Sequence, residues 1–423
     1  MKKIITVIYT LSFVIGAVSA QSVYDGVKIA DKDLNGTARF VGMGGAMGAL
    51  GGDITTMGTN PAGIGIYRSN DVMTSFSYSA YGMESKYEGQ KSTIDKNRWS
   101  FDNIGVVFAT KIGNQTPLRY VNFGFNYKRS KSFYKNMSMS GMMGVVENPS
   151  NPGSPYYVSQ TNSMALQATD AERYVWDNSR QHLDFDNANR IFSDPDAGWL
   201  GALGYQGGLT ERDRIDNEPD LYVPFLPVEP SSVFNSREKG GIDQYDFNVS
   251  FNINDRVYLG LTIGAYDVDY DKYSGYDESY KRGEGYSLES YNNISGSGFD
   301  VKMGLILRPF EYSPFRIGFA VHTPTFYKLT YSTSAIVTND YRDAKTDELK
   351  RIIVDTYDYV GDMKRDYRLV TPWKYNVSLG YTVVTSLALG AEYEYEDYST
   401  MKFKYSSNDG GGDMEFENAE VKN

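Results

Sequence analysis

Alternation of apolar and polar residues with a period of two recurs along most of this 423-residue chain and constrains its fold more than any other feature. In "VNFGFNYK", Val121, Phe123, Phe125 and Tyr127 share one side of an extended backbone, and Asn122, Gly124, Asn126 and Lys128 share the other. "YDFNVSFNI" repeats the pattern, with Tyr245, Phe247, Val249, Phe251 and Ile253 opposite Asp246, Asn248, Ser250 and Asn252. Successive strand side chains point to opposite faces, so each run predicts a strand with one apolar and one polar face. Similar runs at 72–80, 257–265, 299–307, 317–321, 375–381 and 387–395, with a less regular one at 101–110, bring the number to about nine. Their lengths lie near the ~10 residues with which a tilted strand crosses a hydrocarbon layer.

The connections alternate too. Short turns at "KIGNQTPLR", "NINDR", "RPFEYSPFR" and "YTVVTS" are separated by long polar segments at about 82–98, 130–241, 267–298 and 331–366. An up-and-down barrel has this parity, with tight turns at one rim and long loops at the other. A β-sandwich has no reason to keep it. The longest segment far exceeds the ~12–15 residues of a structureless connection, so it is expected to carry its own helices or to act as a lid. The 36 Tyr, 21 Phe and 42 Gly suit a wall with aromatic belts. The lack of cysteine removes disulfides, thiolate metal sites and a lipidated cysteine. A formal charge of −11 argues against a nucleic-acid partner.

Lys2 and Lys3, an apolar run over 4–18 and Val18-Ser19-Ala20 before Gln21 form a secretory signal peptide, with cleavage expected after Ala20. The expected fold is therefore all-β: a transmembrane antiparallel up-and-down β-barrel over 70–423, preceded by a partly helical segment over 21–69 that cannot be wall and that a family resemblance implies is a lumenal hatch. Its expected location is the outer membrane of a Gram-negative cell.

Residues 21–69 do not alternate. "NGTARFVGMGGAMGAL" predicts a short helix capped by Thr37, with Gly44 and Gly48 forming a small face for close backbone approach. In "TNPAGIG", Asn60, Pro61 and Gly63 stand at the first, second and fourth positions of a type I turn, and the Asn60 side chain is placed to accept the Ala62 amide. A phosphate loop is excluded: Met47 stands where the dinucleotide fingerprint wants glycine, and no Gly-Lys-Ser/Thr occurs. The glycine-rich helix, Asp53, "TNPAGIG" and a strand soon after a signal peptide together resemble the FadL-type outer-membrane transporters of long-chain fatty acids, most strongly over 37–80. The resemblance implies that Asp53, Asn60, Pro61, Ala62 and Gly63 belong to the hatch. It also implies that the mature N-terminus near Gln21 and Ser22 reaches into the lumen. It further implies passive import of long-chain fatty acids or of aromatic or aliphatic hydrocarbons: capture at the outer loops, transfer to a lumenal pocket, and release by hatch movement, sideways through the wall by some accounts.

Candidate ligand-binding residues are Met139, Met142 and Met143 in "MSMSGMMGVV" and Leu221, Tyr222, Phe225 and Leu226 in "LYVPFLPVEP". Methionine suits ligands of variable shape, although a satellite core under the long loop is an equal reading. Lys128, Lys302 and Arg316 have lumen parity and could hold a carboxylate or pair within the lumen. Glu392, Glu394 and Glu396 share that parity and keep neutral hydrocarbons in contention. The only histidines, His182 and His322, are too few to serve haem iron, and His322 is expected to be a hydrogen-bonded wall residue. Asp267, Asp269, Asp271 and Glu278 match the first, third, fifth and twelfth positions of a calcium loop, but Lys272 replaces its glycine; a strand end with carboxylates on one side is the plainer reading.

No hydrolase or metalloprotease motif occurs, so no enzyme activity, cofactor or metal is expected. The expected partners are a hydrophobic small molecule, outer-membrane lipid and lipopolysaccharide, with the chain a monomer. An adhesin-like barrel without transport and a secreted β-sandwich lectin are the rival readings. FadL-type barrels close with fourteen strands, whereas this chain ends "GGGDMEFENAEVKN" after about nine. An open barrel leaves two unpaired edges in lipid, so a C-terminal truncation, or an outer loop beginning at Ser406, is expected.

Overall fold

Nine long or medium strands follow one another in a single curled antiparallel sheet, at the nine places where the sequence alternates. The computed structural model describes residues 23–146, 156–194, 196–225, 230–383 and 387–422; the expected signal peptide, Gln21, Ser22, Leu226 and residues 384–386, within the expected short connection "YTVVTS", lie outside them. In chain order the strands are β1 (Asp71–Tyr87), β2 (Gln90–Lys111), β3 (Leu118–Ser132), β4 (Lys135–Met142), β5 (Val145–Val146), β6 (Tyr156–Tyr157), β7 (Thr210–Asp213), β8 (Leu221–Pro224) and β9 (Ser231–Ile253). They continue as β10 (Val257–Ser279), β11 (Gly285–Leu307), β12 (Arg316–His322), β13 (Phe326–Arg342), β14 (Leu349–Asp355), β15 (Met363–Val370), β16 (Lys374–Val383), β17 (Leu387–Glu396) and β18 (Lys402–Tyr405). The main path is β1-β2-β3-β9-β10-β11-β12-β16-β17, and β1 and β17 each have one neighbour on it. Among the described residues no helix is long and apolar enough to cross a membrane.

The sheet is inverted relative to a water-soluble protein. Phe123, Phe247, Ile263 and Met303 are exposed on its outer face, while Asn122, Asn248, Thr262 and Lys302 are buried on its inner face. Strand register aligns the inner residues into cross-strand rows, one of which runs Asn248, Thr262, Lys302, His322, Lys374, Glu396.

Two of the four expected loops are not loops. Instead of a connection over 82–98, β1 and β2 run on to a tight turn at Glu88 and Gly89, both with left-handed backbone (φ 43° and 81°). Over 267–298, β10 and β11 stay paired from Val257↔Leu307 to Ser279↔Gly285. Residues 331–366 hold β13, β14, a short helix Thr356–Val360 and β15. The segment 130–241 does carry helices: α-helices Gln160–Ser179, Ala188–Ser193 and Trp199–Gln206, packed around Met164, Ala168, Phe185, Leu200 and Leu203.

This helical cap is tied down by Glu278. Its buried carboxylate accepts from the Ser159 hydroxyl (2.8 Å), the Gln160 amide (3.0 Å) and the Tyr276, Tyr280 and Tyr286 hydroxyls (2.6, 2.9 and 2.9 Å). Burial first, and then the Glu278 charge, hold the Tyr276 and Tyr286 phenols well above their ordinary pKa, so both remain donors. The calcium-loop reading fails on the same geometry. Glu278 turns inward, whereas Asp267, Asp269 and Asp271 lie on the opposite, outer face of β10.

The N-terminal segment packs on the inner face. Helix Val23–Ala30 is followed by helix Ala38–Gly42, whose N-cap Thr37 accepts the Phe40 amide at 3.1 Å, as expected. That helix stops sooner than expected. Gly44 has a φ of +63° with open space around it, and Gly48 alone makes a close approach, a Cβ there falling 2.8 Å from Glu392 Oε2. Two 3-10 turns, Ile54–Gly58 and Pro61–Ile66, lead into β1.

Candidate functional site: a braced segment and a slot in the sheet

Asn60 organises the segment's contact with the sheet. Its Oδ1 accepts the Ala62 amide at 3.1 Å, and its Nδ2 donates to Gly48 O at 2.9 Å and to Leu305 O on β11 at 3.4 Å. The turn closes with Gly63 N donating to Asn60 O at 2.9 Å and continues as a 3-10 helix, because Pro61 supplies a fixed φ at its first position. Asp53 is fully buried and caps the preceding turn. Its Oδ1 accepts the Thr55 amide at 2.9 Å, and its Oδ2 accepts Thr37 Oγ1 at 2.7 Å and Arg39 Nε at 3.1 Å.

The polar inner face satisfies backbone carbonyls that the irregular segment leaves open. Ser250 Oγ donates to Pro61 O (2.8 Å), and Asn122 Nδ2 donates to Ile64 O (2.7 Å) and Tyr67 O (2.9 Å). The approach is close enough to require glycine in the wall. A Cβ on Gly260 would fall 2.2 Å from the Pro61 carbonyl carbon, and one on Gly304 would fall 2.1 Å from Asn60 Oδ1. Sequence reasoning missed these positions. The signal was a glycine at inner parity within otherwise strand-like "YLGLTIG" and "VKMGLIL".

The inner cations and carboxylates are largely engaged with one another or with the segment. Lys302 Nζ lies 3.0 Å from Asp246 Oδ1 and 2.7 Å from Asp300 Oδ1, and Tyr266 donates to Asp300 at 2.7 Å. Arg316 Nη1 donates to Leu50 O at 2.5 Å, and His322 Nε2 lies 2.6 Å from Thr59 O. Glu392 accepts from Gly48 N (2.8 Å) and Asn376 Nδ2 (2.7 Å), and Lys374 pairs with Glu394 and Glu396. Lys302 and Arg316 are thus committed to bracing, and Lys128 is buried beside Gly58.

A slot interrupts the sheet between β2 and β3. Their ladder runs only from Lys111↔Tyr120 to Asn103↔Lys128. Beyond it β2 pairs with β1 alone, and the free edge of β3 is taken up by the N-terminal segment. Asp33 N donates to Ser130 O (2.9 Å), Ser132 N donates to Asp33 Oδ2 (2.8 Å), and Asn35 Nδ2 donates to Arg129 O (3.0 Å). Register shifts at Ser75/Phe76 and Arg129/Lys131 mark the same level.

Two cavities meet at the slot. One, of about 870 Å³, lies between Leu34 and Val41 of the segment and the rings of Phe76, Trp99, Phe101 and Tyr127. The other, of about 600 Å³, is lined by Tyr81, Met83, Ile94, Phe133 and Tyr134 together with Lys28, Lys96, Arg98, Lys131 and Lys135, against only Asp31 and Glu238. Lys28 pairs with Glu238 (2.7 Å) and Lys131 with Asp31 (2.5 Å). Lys96, Arg98 and Lys135 have no carboxylate partner among the described residues. Arg98 stacks 3.9 Å from the Tyr134 ring centroid and donates to Ser132 Oγ at 3.0 Å, so its guanidinium is fixed at the junction of the two cavities. Sequence reasoning missed this set, although Lys96 and Arg98 stand on one face of "KNRWSF".

Among the described residues, those expected to capture ligand do not line either cavity. Met142 is exposed on β4, while Met143 is buried. Tyr222 belongs to the core of the helical cap, 4.6 Å from the Phe185 ring, which is the satellite-core alternative. Phe225 is exposed near Tyr280. Comparison with protein families, with curated proteins and with solved structures finds no match for this chain.

Proposed function

We propose that this chain is an outer-membrane transporter of hydrophobic small molecules, its curled sheet forming barrel wall and its N-terminal segment acting as a hatch. The carrying observation is the slot between β2 and β3, closed by Asp33–Asn35 and flanked by an aromatic cavity on one side and a cationic, aromatic one on the other. On this reading an amphipathic molecule rests its chain on Tyr81, Met83 and Ile94 and its acidic head near Lys96, Arg98 and Lys135. Burial of each CH₂ favours that position by about 0.8 kcal/mol. Withdrawal of Asp33–Asn35 from β3 joins the cavity to the outward-facing rings and gives a sideways exit. Passage is passive. The outer face, with Trp99 75% exposed, faces lipid. Among the described residues β1 and β17 each pair on one side only, and a wall in lipid needs both of those edges covered.

Uptake of a labelled long-chain fatty acid and of a neutral hydrocarbon, compared in strains with and without the gene, tests the reading. Gene-dependent uptake of at least one is expected. Arg98→Ala is expected to lower fatty acid uptake several-fold and to leave the hydrocarbon unchanged. No gene dependence for either would leave the slot without a transport role and favour a surface-binding barrel.

A further inference from the structure

The helical cap holds a group of side chains that the slot does not use. Glu172 lies on helix Gln160–Ser179, His182 just past that helix, and Asp220 just before β8. One ligand atom from each falls within 4.8 Å of the other two. His182 Nδ1 lies 2.5 Å from Glu172 Oε1 and 3.7 Å from Asp220 Oδ2. These distances bracket the ~3.3 Å between donors on a tetrahedral ion with bonds of ~2.0–2.1 Å.

Both carboxylates are buried, Glu172 completely. Buried carboxylates so close together need a compensating cation. The nearest guanidinium, Arg212, stands 3.8 Å from Asp220 and is held by Asp186 at 2.5 Å. The Leu183 amide occupies Glu172 Oε2 at 3.0 Å and leaves Oε1 directed at the cluster. A second observation points to a ligand at the same place. Tyr222 is only 3% exposed, its hydroxyl makes no hydrogen bond of regular geometry although the Arg212 guanidinium lies beside it, and it is within electrostatic reach of both Glu172 and Asp220. A cavity of about 910 Å³ reaches His182 and Asp220 and gives an ion a path inward.

We propose that Glu172, His182 and Asp220 bind one divalent transition-metal ion of the zinc class, with the fourth position open to the cavity. A water there would give the Tyr222 hydroxyl a partner. The ion joins the end of the cap's long helix to β8, two segments otherwise linked by Thr169 and the Tyr222 backbone amide (3.0 Å). Nitrogen and carboxylate oxygen ligands without sulfur suit zinc, nickel or manganese. The inference is independent of the transport reading.

Trp176, whose ring centroid lies 4.6 Å from that of His182, is a built-in reporter. The full chain, purified in detergent and stripped with a chelator, is titrated with Zn²⁺ by calorimetry and with Co²⁺ by visible absorption and tryptophan fluorescence. One saturable site in the micromolar range or tighter is expected, with Co²⁺ quenching Trp176. His182→Ala, at a half-exposed position, and Asp220→Asn are each expected to weaken binding by about tenfold or more. Absence of saturable Zn²⁺ binding would overturn the proposal and identify the group as a hydrogen-bonded cluster of His182 with two carboxylates. Equal binding by His182→Ala would overturn it too, by placing the ion elsewhere.

Discussion

At the residue scale, the seat of the N-terminal segment rests on positions where side chains are missing. Gly304 faces Asn60 Oδ1 and the Ala62 amide, so Gly304→Leu must displace the turn or distort β11. Overpacking of this kind costs about 1–3 kcal/mol. Amide exchange over 54–66 is expected to accelerate in this variant while the strands stay protected. Met303→Leu, one residue away on the exposed outer face, is the control and should leave exchange unchanged. Unaltered protection in Gly304→Leu would mean that the segment is not braced there. The Asn60 contact to Ala62 was legible in the sequence because it is local, an Asx side chain meeting an amide two residues on. Its reach to Gly48 and Leu305 was not, because those partners depend on how the segment lies across the sheet.

At the element scale, strands were legible where one face was apolar and the other polar. β10 shows where that signal runs out. Leu259, Leu261 and Ile263 mark its outer face, but Asp267, Asp269 and Asp271 continue the same face while Tyr266, Val268 and Tyr270 fill the inner one, so the polarity of the two faces reverses midway and the far half reads as a separate polar segment. The slot left only a slight trace in periodicity: β2 and β3 alternate on both sides of Asn103 and Lys128 with a one-residue slip at each bulge, and it is their pairing that stops. The Asp33 backbone amide and the Asn35 side-chain amide then finish the edge of β3. The cysteine-free chain allows a direct test. Asp33→Cys with Ser132→Cys replaces the Asp33 side-chain bond to the Ser132 amide with a single crosslink. Oxidation is expected to stop ligand uptake and reductant to restore it. Uptake unaffected by the crosslink would exclude this route of passage.

At the scale of the whole molecule, the inverted sheet makes a demand on its surroundings. Phe76, Trp99, Phe247, Met303 and Tyr393 all stand exposed on the outer face. Purified chain is expected to stay monodisperse only in detergent or lipid and to aggregate as detergent is diluted away. A monodisperse species in plain buffer would mean that protein covers these rings, and would remove the membrane reading. The slot has an energetic consequence within such a membrane. On the proposed reading, withdrawal of Asp33–Asn35 takes away the partners of Ser130 O and Ser132 N, at a cost of about 1–3 kcal/mol for each group left without a replacement. If the chain transports as proposed, that cost acts as a return spring: the opening closes itself without fuel, and the net direction of flow is left to whatever consumes the ligand on the far side.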